Sequence, residues 1–90
     1  MKKTIITVVG KDSVGIIAKV CTYLADKGIN ILDISQTIVD GFFNMMMIVD
    51  FKSVDQNFVA VAGELEKMGE EINCVIRVQR EEIFNKMHRL

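Results

Sequence analysis

The spacing of apolar and polar positions changes along the chain, and each change marks an element. Thr4 to Val9 is almost continuously apolar and rich in β-branched residues, as in a central strand covered on both faces. From Val14 the period lengthens. Val14, Ile17, Ala18, Cys21, Leu24, Ala25 and Gly28 recur every three or four residues, with Lys19, Asp26 and Lys27 off the stripe. This is one face of a helix. The helix is predicted over residues 13–27, with Gly28 in the C-cap position and Asn30 just past it.

Asn30 to Val39 reads as a second strand, with Ile31, Leu32, Ile34, Ile38 and Val39 as its core. Its alternation falters at Ser35-Gln36, where a bulge is expected. Asp40-Gly41 is a two-residue hairpin signal of the type I′ class. Phe42 to Phe51 returns, with Phe43, Met45, Met47, Val49 and Phe51 on one face and Phe42, Met46 and Ile48 on the other. Two apolar faces imply that both are covered, one by helices and one by something else. A second helix is predicted from Val54-Asp55, capped by Asp55 or Ser53 and stopped near Gly69. Its buried stripe would be Phe58, Val61, Ala62, Leu65 and Met68. Ile72 to Gln79 alternates as a half-exposed fourth strand, and Arg80 to Leu90 reads as a short helix with Ile83, Phe84, Met87 and Leu90 apolar.

The order β-α-β-β-α-β defines the fold class. It is an α+β, ferredoxin-like sandwich: a four-stranded antiparallel sheet with two helices on one face, plus a short C-terminal helix. The second sheet face is left open for the terminal helix or a second subunit.

Composition narrows the function. The 90 residues make one domain, half of them hydrophobic. A chain this small buries only roughly 60–65 % of its unfolded surface, so the apolar excess points to a face covered by a partner, most simply a second copy. With 11 basic and 12 acidic residues there is no basic excess of the kind that direct nucleic-acid binding shows. Cys21 and Cys74 lie far apart on apolar phases and read as buried free thiols. Lys2-Lys3 and the short apolar run after them lack a signal-peptide pattern. No run reaches the length of a membrane span. A cytoplasmic protein away from the membrane is expected.

Catalytic chemistry finds little material. There is one histidine, His88, and no serine or cysteine stands in a recognisable nucleophile motif. Metal-ligand spacing is absent, and the Met45-Met46-Met47 run reads as core or interface filler. Gly10 to Gly15 is neither a P-loop nor a dinucleotide fingerprint. The same topology serves RNA-recognition modules, but Phe42 and Phe43 lack the basic neighbours those modules need. Metallochaperones of this topology carry CxxC in the first loop, where this chain has Lys11-Asp12-Ser13. A regulatory rather than enzymatic protein, with no cofactor, is expected.

The first loop is the most informative stretch. Gly10, Asp12, Ser13 and Gly15 lie where a strand turns into a helix. A helix N-terminus there would offer N–H groups and a positive dipole end to a carboxylate or phosphate. The motif Gly10-x-Asp12-x-x-Gly15-Ile16-Ile17, followed by Gly28-Ile29-Asn30-Ile31 and Ile34-Ser35-Gln36-Thr37, resembles the ACT domain family, small regulatory modules that sense amino acids. The resemblance covers about residues 3–79 and is greatest to free-standing prokaryotic single-ACT-domain proteins, which are similar to the ACT portion of the glycine cleavage system transcriptional repressor. It implies an ACT domain over residues 1–79, with residues 80–90 a helical extension of it.

The resemblance also implies a homodimer, paired side by side through the first helix and the second strand's edge. A small amino acid would bind between the copies, and the allosteric signal would pass to an effector protein that the sequence does not identify. Carried over by position, the site comprises Lys11, Asp12, Ser13, Val14 and Gly15 of one copy and Asn30, Ile31 and Leu32 of the other. Asp12 would pair with an α-ammonium, N–H groups near Val14 to Ile16 would take the α-carboxylate, and Asn30 would add a hydrogen bond. Two departures stand beside this. Val14 replaces a common proline, and Asp12 replaces a neutral amide, so Asp12 is open to a capping role alone or to capping plus ligand contact. The alternative function is a ligand-free adaptor that uses the same fold to oligomerise or to bind a partner.

Overall fold

A computed structural model describes residues 3–11, 13–52 and 57–80, and of Ser13 only the backbone. The elements run β1 (Lys3–Gly10), α1 (Ser13–Asp26), β2 (Asn30–Val39), β3 (Phe42–Asp50), α2 (Phe58–Glu71) and β4 (Cys74–Arg80). The sheet order is β2-β3-β1-β4, and every neighbouring pair is antiparallel. β1 therefore lies in the interior, as its apolar run predicts, and β2 and β4 form the edges.

One core joins the sheet to both helices. Ile6 and Val8 of β1, Phe43, Met45, Met47 and Val49 of β3, and Cys74, Ile76 and Val78 of β4 meet Ile16, Val20 and Leu24 of α1 and Val61, Ala62 and Leu65 of α2. Both helices lie on the same face. A second link runs above the core, where the Tyr23 hydroxyl donates to Glu64 and Lys27 Nζ stands 3.7 Å from the Glu64 carboxylate.

Turn chemistry follows the sequence. Asp40 and Gly41 both take positive φ, 55° and 80°, as a type I′ hairpin requires. Gly28 takes φ of 70° and closes α1, with Gly28 N–H donating to Ala25 O and Ile29 N–H to Leu24 O.

Four expectations need correction. The bulge lies between Ile31 and Asp33, not at Ser35-Gln36. The extra residue there puts Ile31, Ile34 and Ile38 in register with Val49, Met47 and Phe43, so all three isoleucines turn toward the helix layer. Ile31 and Ile34, three apart in a strand, can share a face only through such an insertion. Second, Gly69 does not stop α2 but sits inside it. A Cβ there would stand 2.9 Å from Ile76 Cγ1 and 3.0 Å from Cys74 O, so the glycine lets the helix press onto β4. Third, β4 starts at Cys74, after a turn in which Asn73 takes φ of 58°, and it retains Arg80. Arg80 therefore ends a strand instead of starting a helix. Fourth, the buried line of α1 is Ile16, Val20 and Leu24, whereas Val14, Ala18 and Ala25 are exposed. The proposed caps Ser53 and Asp55, and the helix over 81–90 with His88, lie outside the described residues.

Candidate functional site

The loop after β1 is set by close packing at Gly10. A Cβ on Gly10 would fall 2.5 Å from Ile16 Cδ1 and 2.7 Å from Cys74 Cβ. The glycine thus lets the first turn of α1 close down on the end of the sheet. Asp12 lies outside the described residues, and Ser13 begins α1. Val14 projects outward with 78 % of its surface exposed, and Gly15 is half-buried beneath the helix's outer side. Lys11 goes elsewhere: its Nζ lies 5.4 Å from the centre of the Phe42 ring, a cation–π contact. Phe42 belongs to the sheet face away from the helices, so Lys11 is tied to that face.

The second half of the site is the start of β2. Asn30 is exposed and in register with Asp50. It shares a shallow groove with Gly28, Asp50 and Lys52. Lys52 N–H donates to Asp50 Oδ1 at 2.9 Å, which fixes that carboxylate at the groove wall. Ile31 is half-buried on the helix side, and Leu32 is the inserted residue of the bulge, 38 % exposed.

Within one chain these halves do not meet. Gly10 is in register with Phe43, whereas Asn30 is in register with Asp50. Seven residues of extended β3 separate those levels (50 − 43), or about 23 Å at ~3.3 Å per residue. The first loop and the start of β2 lie at opposite ends of the sheet.

What connects them is an apolar flank of α1, which holds part of the periodic stripe while the rest lies in the core. The side of α1 toward α2 carries Tyr23, with its bond to Glu64. The opposite side carries Val14, Ile17, Ala18, Cys21 and Ala25, members of the periodic stripe, whose Leu24 instead lies in the core. Ile17 and Cys21 are half-buried at its base, and Val14, Ala18 and Ala25 are exposed. Beside it, β2 turns Ile34 and Ile38 toward the helix layer, and they are 39 % and 73 % exposed. α1 thus has two apolar lines, one on the sheet and one along the β2 edge whose base packs on the core and whose outer residues are exposed.

Ionisation is perturbed away from the candidate site. Burial, reinforced by the hydrogen bond to Glu64, holds the Tyr23 hydroxyl above its ordinary range. The same hydrogen bond, then the charge of Lys27, draws the Glu64 carboxyl below its ordinary range. Burial also raises the Cys74 thiol, which keeps it protonated and unreactive. Among the described residues no cluster of three or more His, Cys, Asp or Glu could hold a metal ion, and no helix is long and apolar enough to cross a membrane.

Comparison with known proteins adds the family. The ACT domain model matches residues 2–79. A UPF0237 protein of Bifidobacterium longum is 63 % identical over 90 residues, all of both chains. The solved structure of an ACT domain protein from Streptococcus pneumoniae superposes with a TM-score of 0.81 at 44 % identity, over 92 % of this chain and 93 % of that one. A candidate glycine cleavage system transcriptional repressor superposes with a TM-score of 0.73 at 25 % identity, over 88 % of this chain and 45 % of that one.

Proposed function

The chain belongs to the ACT domain family of regulatory modules, and on that premise we propose that it binds a small amino acid between two copies of itself and passes the bound state to an effector protein by contact. The observation that carries this reading is the exposed outer flank of α1 beside the exposed isoleucines of β2, which runs between the two half-sites. α1 has 14 residues and is about 21 Å long at ~1.5 Å per residue. That matches the ~23 Å between the sheet levels of the half-sites. A two-fold axis that lays α1 antiparallel to its copy brings the first loop of each chain against Asn30 of the other. Two sites per dimer result, and neither exists in a monomer.

The chemistry suits a zwitterion. The N-terminal turn of α1 attracts the α-carboxylate, and Asp12 answers the α-ammonium. The Asn30 side chain supplies one acceptor and two donors. Leu32, Ile31 and Val14 would line the space for the ligand's side chain. The apolar flank would be covered by its own copy, which explains an apolar surface that a small monomer rarely leaves open.

The test is thermal unfolding of the full chain against a panel of free amino acids, with the oligomeric state measured alongside. A ligand at about 100 times its Kd adds ~2.7 kcal/mol per site, a rise of Tm on the order of ten degrees for a domain of this size. The expected result is a dimer whose Tm rises with one or two small amino acids. A dimer with a flat response to the whole panel would favour the ligand-free adaptor.

A further inference from the structure

The groove at the start of β2 is lined by two charged residues, Asp50 and Lys52, that lie outside the sequence motif. Asp50 ends β3, in register with Asn30 of β2 on one side and Lys3 of β1 on the other. Val49 is buried against the helix layer. Side chains alternate along a strand, so Asp50 and its two cross-strand neighbours rise from the opposite face. Residues in register stand about 4.5–5.5 Å apart at Cβ, which puts the Asn30 amide and the Asp50 carboxylate within reach of one small group.

The carboxylate is already oriented. Asp50 is half-buried, and Lys52 N–H donates to its Oδ1 at 2.9 Å. A carboxylate has about four lone-pair sites, so one bond sets its direction without using up its acceptor capacity. The groove that Asp50 lines with Gly28, Asn30 and Lys52 has a volume of about 400 Å³, within the range of small-molecule sites. Asp33, on the same face, lies outside the groove and turns its Oδ1 to its neighbour's N–H, 2.8 Å from Ile34 N. β2 is the edge strand and β3 lies next to it. A molecule held between the start of β2 and a second copy packed along that edge therefore meets Asn30 first and Asp50 directly behind it.

We infer that Asp50 is a specificity residue of the shared site. It receives the α-ammonium from the strand side, while Asp12 of the other copy receives it from the loop side. It thereby selects amino acids against carboxylic acids that lack the amino group. This role rests on the proposed function, because the groove becomes a closed site only when the second copy covers it. An ammonium gains a charge-assisted hydrogen bond from Asp50. A des-amino acid offers no donor there and brings its own carboxylate near a like charge, so attraction and repulsion both favour the amino acid.

Titration calorimetry on the full chain tests it. The probes are glycine, L-alanine and L-serine, each paired with its des-amino counterpart: acetate, propionate and 3-hydroxypropionate. Wild type is compared with Asp50→Asn and Asp33→Asn. An Asn oxygen still accepts from Lys52 N–H, so Asp50→Asn removes the charge and keeps the local turn. The readout is the affinity for an amino acid divided by that for its counterpart, a ratio that a merely structural loss leaves unmoved. The expected result is a fall in that ratio of about tenfold or more in Asp50→Asn, the scale of one charge-assisted hydrogen bond, and an unchanged ratio in Asp33→Asn. An unchanged ratio in Asp50→Asn, or an equal fall in Asp33→Asn, would overturn this role for Asp50 and leave the amino-acid reading standing. A wild type that binds none of the three amino acids would defeat that reading and this role together.

Discussion

Gly10 and Gly63 show how one residue type serves opposite purposes. Gly10 is needed for space: a Cβ would meet Ile16 Cδ1, which can swing aside, and Cys74 Cβ, which cannot. Gly10→Ala should lower stability by about 1–3 kcal/mol, the usual cost of overpacking, read as a fall in the urea midpoint at unchanged slope. Gly63 is exposed within α2 and an added Cβ there meets nothing within 4 Å. Gly63→Ala should raise the midpoint, by roughly 0.4–1 kcal/mol, chiefly by restricting the unfolded chain. A glycine at a strand end serves either a left-handed turn or a close approach, and the packing at Gly10 decides for close approach. Tyr23 and Glu64 form a link that sequence reasoning missed, because 41 residues separate them and nothing local announces the pairing. The Glu64 carboxyl is drawn below its ordinary range. Its stabilising contribution is present above the unfolded-state carboxylate pKa and lost as pH falls through the lower folded-state value. Tyr23→Phe should therefore lower Tm at neutral pH, and the gap to wild type should close on acidification through the carboxylate range. A gap that widens toward acid would contradict this.

At the level of elements, the sequence was informative about period and less so about phase. Every strand and helix among the described residues was legible, because strand and helix spacings differ sharply. The hairpin was legible too, since Asp-Gly is chemically specific. The phase of α1 was not, because the helix is apolar on two sides and periodicity alone cannot say which side meets the sheet. Nor was the β2 bulge: its signal was the three-residue spacing of Ile31 and Ile34, while the polar Ser35-Gln36 pair drew attention away. The two lines of α1 predict different failures. Leu24→Ala removes a fully buried side chain from the core and should cost about 2–5 kcal/mol. On the proposed dimer, Ala18→Glu adds charge to the exposed flank and should leave the fold intact while shifting sedimentation from that of a dimer to that of a monomer. If Ala18→Glu leaves association unchanged, α1 does not lie at the subunit interface.

For the whole molecule, the decisive feature is that the candidate site is split. The residues of the first loop and of β2 were legible as a motif, and the family resemblance assigned them to different copies. The physical reason, their separation along the sheet, follows from sheet order and was not legible in the sequence. β1 delivers the loop to the Phe43 end, while the return from α1 starts β2 at the Asp50 end. Lys11 also parts from the group and packs on Phe42 across the sheet. A site completed only by a second copy links occupancy to association, so ligand should tighten the dimer as it binds. The most direct measurement is complementation. Asp12→Lys spoils the loop half and Asn30→Ala the strand half, and each variant alone should bind its amino acid at least tenfold more weakly, about 1.4 kcal/mol. A heterodimer of the two keeps one intact loop facing one intact strand. Titration of an equimolar mixture after subunit exchange should recover wild-type affinity in about a quarter of the sites, as random two-fold pairing dictates. Heterodimers that form and recover no binding, or variants that bind as tightly as wild type, would contradict a site shared between two copies.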